Sequence, residues 1–179
     1  MEKNMHIIID GYNLIRQSDH LRSVDRRNLE AGRDALIRFL APYRRGRGHA
    51  MTVVFDAWDG GSPREERDRQ AGIDIVYSRR GRKADDVIKE MVEKQTRTET
   101  LVVTSDREIA DYAVRRSAAA VSSPEFERAV LRFYEKRFFP AVSEEMDEED
   151  RSGKGTRKKG PSRRISRGAK DFQKRVEKL

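Results

Sequence analysis

The sequence predicts an α/β fold in which helices cover both faces of a central parallel sheet. Short runs of β-branched residues alternate along the chain with segments whose apolar residues recur at helical spacing, which is the pattern of strand–helix–strand units. The first run, three isoleucines at residues 7–9, is apolar throughout and far too short to cross a membrane. Strands of this kind are buried on both faces, as in a parallel sheet.

The alternation predicts five strands with helices between and after them. The strands occupy residues 6–10, 51–56, 73–77, 100–104 and 118–121, and the helices occupy residues 25–43, 84–95, 105–116 and 123–138. Asp25 is a candidate N-cap of the first helix, and Ser105 with Glu108 forms a capping box for the third. Residues 14–24 and 57–72 are polar, and we expect both segments to form loops.

Composition limits the chemistry that this chain performs. Its 179 residues allow one domain with a substantial core. The chain contains no cysteine, which excludes a disulfide framework and thiolate metal sites. Its three histidines, at positions 6, 20 and 49, are scattered and predict neither a zinc site nor a histidine base. No apolar segment approaches membrane-spanning length and no leader pattern is visible, so we expect a cytoplasmic protein without membrane contact.

The charge is distributed unevenly, and this predicts where the folded domain ends. Residues 144–150 contain six acids, whereas residues 151–179 contain 12 bases and two acids, a charge of +10 for the last segment. We therefore expect a domain at residues 1–142 and an acidic, then basic tail at residues 143–179. This tail is expected to be partly disordered and to end in a short amphipathic basic helix suited to RNA or another partner. No pattern predicts an oligomeric state.

Aspartates follow the predicted strands. Asp10, Asp56 and Asp106 come at the ends of strands one, two and four, and Asp85 and Asp86 begin the helix after strand three. Because parallel strands end at one edge of a sheet, these carboxylates are expected to converge there. Their repulsion favours a divalent cation with oxygen ligands, which points to Mg²⁺ or Mn²⁺ and to metal-assisted phosphodiester hydrolysis.

Each of these residues also has a simpler explanation. An aspartate at a helix N-terminus stabilises the helix as a cap, and Asp56 on its own is better explained as a structural or neighbouring group than as a ligand. Tyr12 and Trp58 border the proposed cleft, where they either stack on bases or cover the core. Only the joint occurrence of acids at several strand ends favours a functional site.

The motifs that surround these acids resemble a known family. They are D-G-Y-N at residues 10–13, V-V-F-D-A at 53–57, K-A-D-D at 83–86 and V-V-T-S-D at 102–106. In this order and spacing they resemble the YacP-like branch of the NYN-domain proteins, which belong to the PIN-like nucleases. The resemblance covers residues 5 to about 140. It implies a PIN-like three-layer fold with strand order 3-2-1-4-5 and a Mg²⁺- or Mn²⁺-dependent endoribonuclease.

The resemblance also implies roles for individual residues. The expected metal-binding acids are Asp10, Asp85 and Asp106, with Asp86 as a further candidate, and Asn13 is expected as a polar partner in the cleft. Asp56 and Ser105 are expected beside these ligands. A threonine commonly precedes the A-D pair in this family, whereas this chain has Lys83 there.

Basic residues near the acids are candidate RNA contacts. These are Arg79, Arg80, Arg82 and Lys83 before the acid pair, and Arg44 and Arg45 before the second strand. One member of the resembled family is a ribosome-associated endonuclease that cuts mRNA during translation, so the ribosome and translated mRNA are candidate partners. The alternative is a non-catalytic RNA- or ribosome-binding module on the same fold.

Overall fold

The fold is that of a computed structural model, which describes residues 5–57, 62–95 and 99–138. The chain divides into two compact units, residues 1–127 and 128–179. The sheet and all predicted site residues lie in the first unit. In the second unit, residues 128–138 continue a helix that begins in the first. The predicted tail, with its linker and terminal helix, and Trp58 lie outside the described residues.

The described residues form a six-stranded sheet surrounded by helices. Its strands are β1 (His6–Asp10), β2 (Ala50–Phe55), β3 (Glu66–Gln70), β4 (Ile73–Tyr77), β5 (Thr100–Val103) and β6 (Ala119–Val121). The helices are α1 (Gly11–Gln17), α2 (Asp19–Asp25), α3 (Leu29–Arg47), α4 (Ala84–Lys94), α5 (Arg107–Arg115) and α6 (Ser123–Phe138). No helix among the described residues is long and apolar enough to cross a membrane.

The strand order is β3-β4-β2-β1-β5-β6, and every neighbouring pair is parallel except the antiparallel β3 and β4. The five predicted strands therefore lie in the predicted order, which confirms the α/β class. The three isoleucines of β1 are 0% exposed, as expected for a strand covered on both faces. Ile8 packs with Val54 and Val102 in a core cluster that includes residues of α4 and α5.

The loop predicted over residues 57–72 is wrong for residues 66–70, which form the edge strand β3. Every residue of this strand is exposed, so it carries none of the apolar alternation by which strands are recognised. Backbone hydrogen bonds pair it with β4. A tight turn connects the two strands, and its residues Ala71 and Gly72 have φ values of 51° and 80°. Positive φ at two successive residues is typical of hairpin turns that match the twist of a sheet.

The loop predicted over residues 14–24 is also wrong, because α1 and α2 occupy this segment. Ser18 begins α2 as its N-cap by accepting a hydrogen bond from the Leu21 N–H at 3.3 Å. Asp25 is the last residue of α2, and Asn28 caps α3 instead. Each of these helices has seven residues, which is too short for a helical spacing of apolar residues to be recognised in the sequence.

The capping box predicted from Ser105 and Glu108 is wrong as well. Asp106 is the N-cap of α5, and its side chain accepts hydrogen bonds from the backbone N–H groups of Glu108 and Ile109 at 2.7 and 3.4 Å. Both serine and aspartate are good caps, and their adjacency left the sequence ambiguous by one residue. The consequence is that one of the predicted metal ligands also starts a helix.

Candidate active site

The acids of the predicted site lie at the carboxyl edge of the parallel strands. Asp10 is the last residue of β1, Asp56 follows β2 directly, and Asp106 lies three residues after β5. Asp85 is in the first turn of α4. Since β1 pairs in parallel with both β2 and β5, these strands end on the same side of the sheet.

Asp10 is the most deeply placed of these acids, at 9% exposure. Its Oδ1 accepts a hydrogen bond from the Asn13 N–H at 3.2 Å, which caps α1, and its Oδ2 accepts one from Thr104 Oγ1 at 3.3 Å. Burial raises the pKa of Asp10 to about 6, and the negative charges of Asp85 and Asp56 contribute to the increase. Asp10 therefore lies within electrostatic reach of two other carboxylates.

Asp85 interacts electrostatically with the same acids. Burial raises its pKa, and the carboxylates of Asp106 and Asp56 raise it further, whereas Lys83 and Lys89 act in the opposite direction. Together with the effect of Asp85 on Asp10, these interactions place Asp10, Asp56, Asp85 and Asp106 in one electrostatic cluster. The convergence of these acids on one metal stays a prediction, since no three of them in the described ranges are close enough to hold an ion as they stand.

Thr104 connects two of the acids and was missed by sequence reasoning. Its hydroxyl donates to Asp10 Oδ2 and accepts from the Asp106 N–H at 3.1 Å. Thr104 is buried directly after β5. In the sequence, Thr104 could have been recognised as a hydroxyl-bearing, β-branched residue between an apolar strand and the acid Asp106.

Asp56 holds the start of α4. Its Oδ1 accepts a hydrogen bond from the Ala84 N–H at 2.6 Å. Lys83 is the N-cap residue of α4, and its side chain makes no capping bond. Asp56, which follows β2, thus satisfies a backbone N–H at the start of α4, as the side chain of an N-cap residue normally does. This bond fixes the start of α4 and hence the position of Asp85.

Asn13 and Ser105 connect three segments beneath the acids. Asn13 Oδ1 accepts hydrogen bonds from the Ser105 N–H at 2.9 Å and from Ser123 Oγ at 2.8 Å. Because a backbone N–H only donates, the amide oxygen must face Ser105, and this defines the orientation of the amide. Ser105 Oγ in turn accepts from the Ser123 N–H at 3.3 Å. Both residues position the ends of β1 and β5.

Asp86 differs in its surroundings from the four clustered acids. Its side chain is exposed. Hydrogen bonds to Glu90 and Glu108 raise the pKa of Arg82 and of Lys89, respectively, and the charge of Asp86 adds to both increases. Arg82 also donates to the Asp86 backbone oxygen at 3.3 Å. This acid is therefore oriented toward the basic residues of α4 and the loop before it.

The predicted RNA-contacting residues fall into two groups. Arg79, Arg80 and Lys83 are exposed and lie between β4 and α4, near the acids. Arg82 is in the same segment but forms an ion pair with Glu90.

Arg44 and Arg45 belong to the last turn of α3, which precedes β2. They lie at the amino end of that strand, roughly 17 Å from its carboxyl end at about 3.3 Å per residue. Their contact with RNA stays a prediction, at a position removed from the acids.

Tyr12 is part of the protein interior at 8% exposure, so it covers the core instead of offering a surface for stacked bases. Its hydroxyl accepts hydrogen bonds from Arg33 Nε and Nη2 at 2.8 and 2.6 Å. Its ring packs edge-on against Phe55 at 5.1 Å between centroids. Gly11 lies against the same Phe55 ring, and a Cβ at this position would come within 2.4 Å of it.

A cavity of about 1040 Å³ lies at the opposite end of the sheet from these acids. His6 lines it with Thr52 and Gln95, whose side chains are within hydrogen-bonding distance of its Nε2 and Nδ1 at 2.8 and 2.9 Å. Burial lowers the pKa of His6. Both ring nitrogens have partners, so we assign the chemistry to the carboxyl edge.

The donor atoms at the carboxyl edge suit a hard divalent cation. All are oxygens, and Asp10, Asp85 and Asp106 form no ion pair with a base among the described residues. In the same part of the chain, no three His, Asp or Glu side chains are close enough to form a ready metal cage. Besides burial, neighbouring carboxylates raise the pKa of Asp10 and of Asp85, and a cation with oxygen ligands would relieve this repulsion.

Comparisons with known proteins agree with this architecture. The sequence model of the YacP-like NYN domain matches residues 7–171. The uncharacterized protein YacP of Bacillus subtilis is 28% identical over 102 residues, which cover 56% of this chain and 59% of that protein. The chain thus spans about three fifths of this relative.

Two crystal structures of Rae1 (YacP) from Bacillus subtilis are similar to the fold. A mutant form is 23% identical, with a TM-score of 0.62 over 97% of this chain and 91% of the other. The second structure is 26% identical, with a TM-score of 0.60 over 81% of this chain and 83% of the other.

Proposed function

This chain belongs to the YacP-like NYN domain family, and from that membership and its clustered carboxylates we propose that it is a Mg²⁺- or Mn²⁺-dependent endoribonuclease. NYN domains are generally nucleases that use divalent metals. The observation that supports the proposal is the charge interaction of Asp85 with Asp10 and of Asp106 with Asp85 at one edge of the sheet. Like charges held close together destabilise the folded state, and a catalytic metal site explains why the chain nevertheless keeps these carboxylates together.

Each residue of the edge has a role in the proposed reaction. Asp10, Asp85 and Asp106 would hold the metal, which activates water and stabilises charge on the phosphate when bound. Thr104 orients the Asp10 carboxylate through its hydroxyl, and Asp56 positions Asp85 by capping α4. Asn13 keeps the ends of β1 and β5 in register through Ser105. Asp86, beside Asp85, remains a further candidate ligand.

Hydrolysis adds water across one phosphodiester bond of RNA. The water oxygen bonds to phosphorus, the bond from phosphorus to the leaving ribose oxygen breaks, and that oxygen takes up a proton. Exposed Arg79 and Arg80 would hold neighbouring phosphates, since both follow β4 at the edge that carries the acids. We place the protein in the cytoplasm, with ribosomes and translated mRNA as its proposed partners.

The substrate class is tested by incubating the purified protein with total RNA and, separately, with ribosomes carrying mRNA. Wild type is expected to cut in Mg²⁺ or Mn²⁺, and Asp10→Asn is expected to bind RNA without cutting it. Cleavage confined to ribosome-bound mRNA would identify the translated message as the substrate. If neither protein cuts either substrate while both bind RNA, the fold is a binding module and the nuclease proposal is wrong.

A further inference from the structure

Helix α4 begins without a capping side chain of its own. Lys83 is at the N-cap position, where serine, threonine, aspartate and asparagine are preferred because their oxygens accept backbone hydrogen bonds. A lysine ammonium only donates and is unable to perform this role. The Ala84 N–H is instead satisfied by Asp56 from β2. The chain therefore tolerates lysine at this position, and the cap does not explain why it is there.

Lys83 differs from the other cations close to Asp85. Lys89 forms an ion pair with Glu108 at 2.5 Å, and Arg82 forms one with Glu90. Lys83 is exposed and has no ion pair with any residue in the described ranges. Its position nevertheless brings it to the cluster, since Lys83 is the N-cap residue of α4 and Asp85 is in the first turn of that helix. Lys83 is thus an ammonium next to the acids without a described carboxylate bound to it.

We propose that the Lys83 ammonium binds the RNA phosphate that lies over Asp10, Asp85 and Asp106. This inference rests on the proposed nuclease function and names a catalytic contact for it. Negative charge increases on the phosphate and leaving oxygens as water bonds to phosphorus and the ribose oxygen departs. A positive charge fixed beside those oxygens stabilises the transition state more than the bound substrate.

The contact is tested without catalysis by chemical footprinting of lysines. The full-length protein in EDTA is acetylated with and without a short single-stranded RNA, and the modification at each lysine is measured by mass spectrometry. Lys94 is the matched control, because it ends the same helix roughly 15 Å from its start at about 1.5 Å per residue. RNA is expected to reduce acetylation of Lys83 at least threefold and to leave Lys94 unchanged. Equal protection of both lysines, or of neither, would overturn the contact.

The catalytic role is tested by steady-state kinetics on the same RNA. We expect Lys83→Gln to lower kcat by about 10- to 100-fold with a smaller change in KM, and Lys83→Arg to recover part of the loss. The melting temperature should not change, because the Lys83 side chain makes no capping bond. An unchanged kcat in Lys83→Gln, alongside active wild type and inactive Asp10→Asn, would overturn the role of Lys83 alone. If wild type is inactive, the nuclease proposal fails, and the footprint still decides whether Lys83 contacts RNA.

Discussion

At the scale of single residues, Asp10 combines burial with two hydrogen bonds. Its pKa of about 6 lies roughly two units above that of an unfolded chain, so the folded state binds more protons than the unfolded state between about pH 4 and pH 6. The free energy of unfolding therefore falls as the pH rises through this range. Asp10 imposes its full cost at neutral pH when no metal is present.

Asp10→Asn should relieve this cost. In the variant, the amide oxygen still accepts a hydrogen bond from the Asn13 N–H. The amide NH₂ group replaces Oδ2 and donates to the Thr104 hydroxyl oxygen, which is able to accept. In EDTA at pH 7 we expect the variant to be more stable by about 1–3 kcal/mol, with the difference vanishing near pH 4. Urea unfolding of both proteins across this pH range measures it. A constant difference across the range would show that Asp10 does not titrate as described.

Gly11 tests the packing directly behind Asp10. In Gly11→Ala the new methyl group meets the buried Phe55 ring, which is itself enclosed by Tyr12 and Tyr77. We expect a loss of about 1–3 kcal/mol of stability from overpacking, together with reduced cleavage because Asp10 is displaced. Thermal melting and a cleavage assay check both effects. Unchanged melting would mean that Phe55 moves aside without cost.

At the scale of elements, two helix starts carry the acids of the site. Asp106 caps α5, whereas Asp85 is in the first turn of α4 and Asp56 caps that helix from outside it. The sequence was sufficient to place these acids at one edge, because that follows from strand alternation alone. It was insufficient to separate ligand from cap, because aspartate suits both roles and the hydrogen-bond partner decides between them.

Two substitutions of Asp106 distinguish its role as the N-cap of α5 from its proposed role as a metal ligand. Asparagine caps helices about as well as aspartate, so Asp106→Asn should keep its stability within roughly 0.5 kcal/mol while losing cleavage. Asp106→Ala should lose cleavage and also about 0.5–2 kcal/mol of stability. Melting curves and cleavage rates for both variants check this. An Asp106→Asn protein with wild-type cleavage would leave Asp106 as a cap only.

Asp56 should behave differently because it acts through α4. Asp56→Ala leaves the Ala84 N–H without its partner, so we expect a loss of about 0.5–2 kcal/mol and a partial loss of cleavage. Asp111→Ala is a suitable control, since Asp111 is an exposed aspartate on the helix α5. Urea unfolding compares the two variants. Equal stability of both would show that the bond to Ala84 contributes nothing.

At the scale of the whole molecule, the sequence pattern predicted the parallel sheet and the family resemblance implied the order of its five parallel strands, but both missed β3, α1 and α2. The parallel strands are buried, and burial requires the apolar runs that make them visible. The exposed strand β3 is held by backbone pairing, which places few constraints on side chains, whereas α1 and α2 bury apolar residues but are too short for a helical spacing to be recognised. The hydrogen bond between the Ala84 N–H and Asp56 was also hidden, because it joins residues 28 positions apart in sequence.

The basic tail provides a test at this scale. Truncation after Val142 removes the segment of charge +10, so RNA binding should weaken and depend less steeply on salt as fewer counterions are released. Cleavage of a short RNA at saturating concentration should change little. Binding titrations from about 50 to 200 mM salt supply the slope. An unchanged slope would show that the tail makes no phosphate contacts.

The clustered acids are proposed to hold a metal for RNA cleavage. This is tested by the cleavage rate of a short single-stranded RNA as Mn²⁺ is added to EDTA-treated wild type, Asp85→Asn and the control Asp68→Asn. We predict a saturable rise for wild type and Asp68→Asn and no measurable cleavage by Asp85→Asn. Cleavage by wild type that persists in EDTA, or an Asp85→Asn protein that responds to Mn²⁺ as wild type does, would contradict the claim.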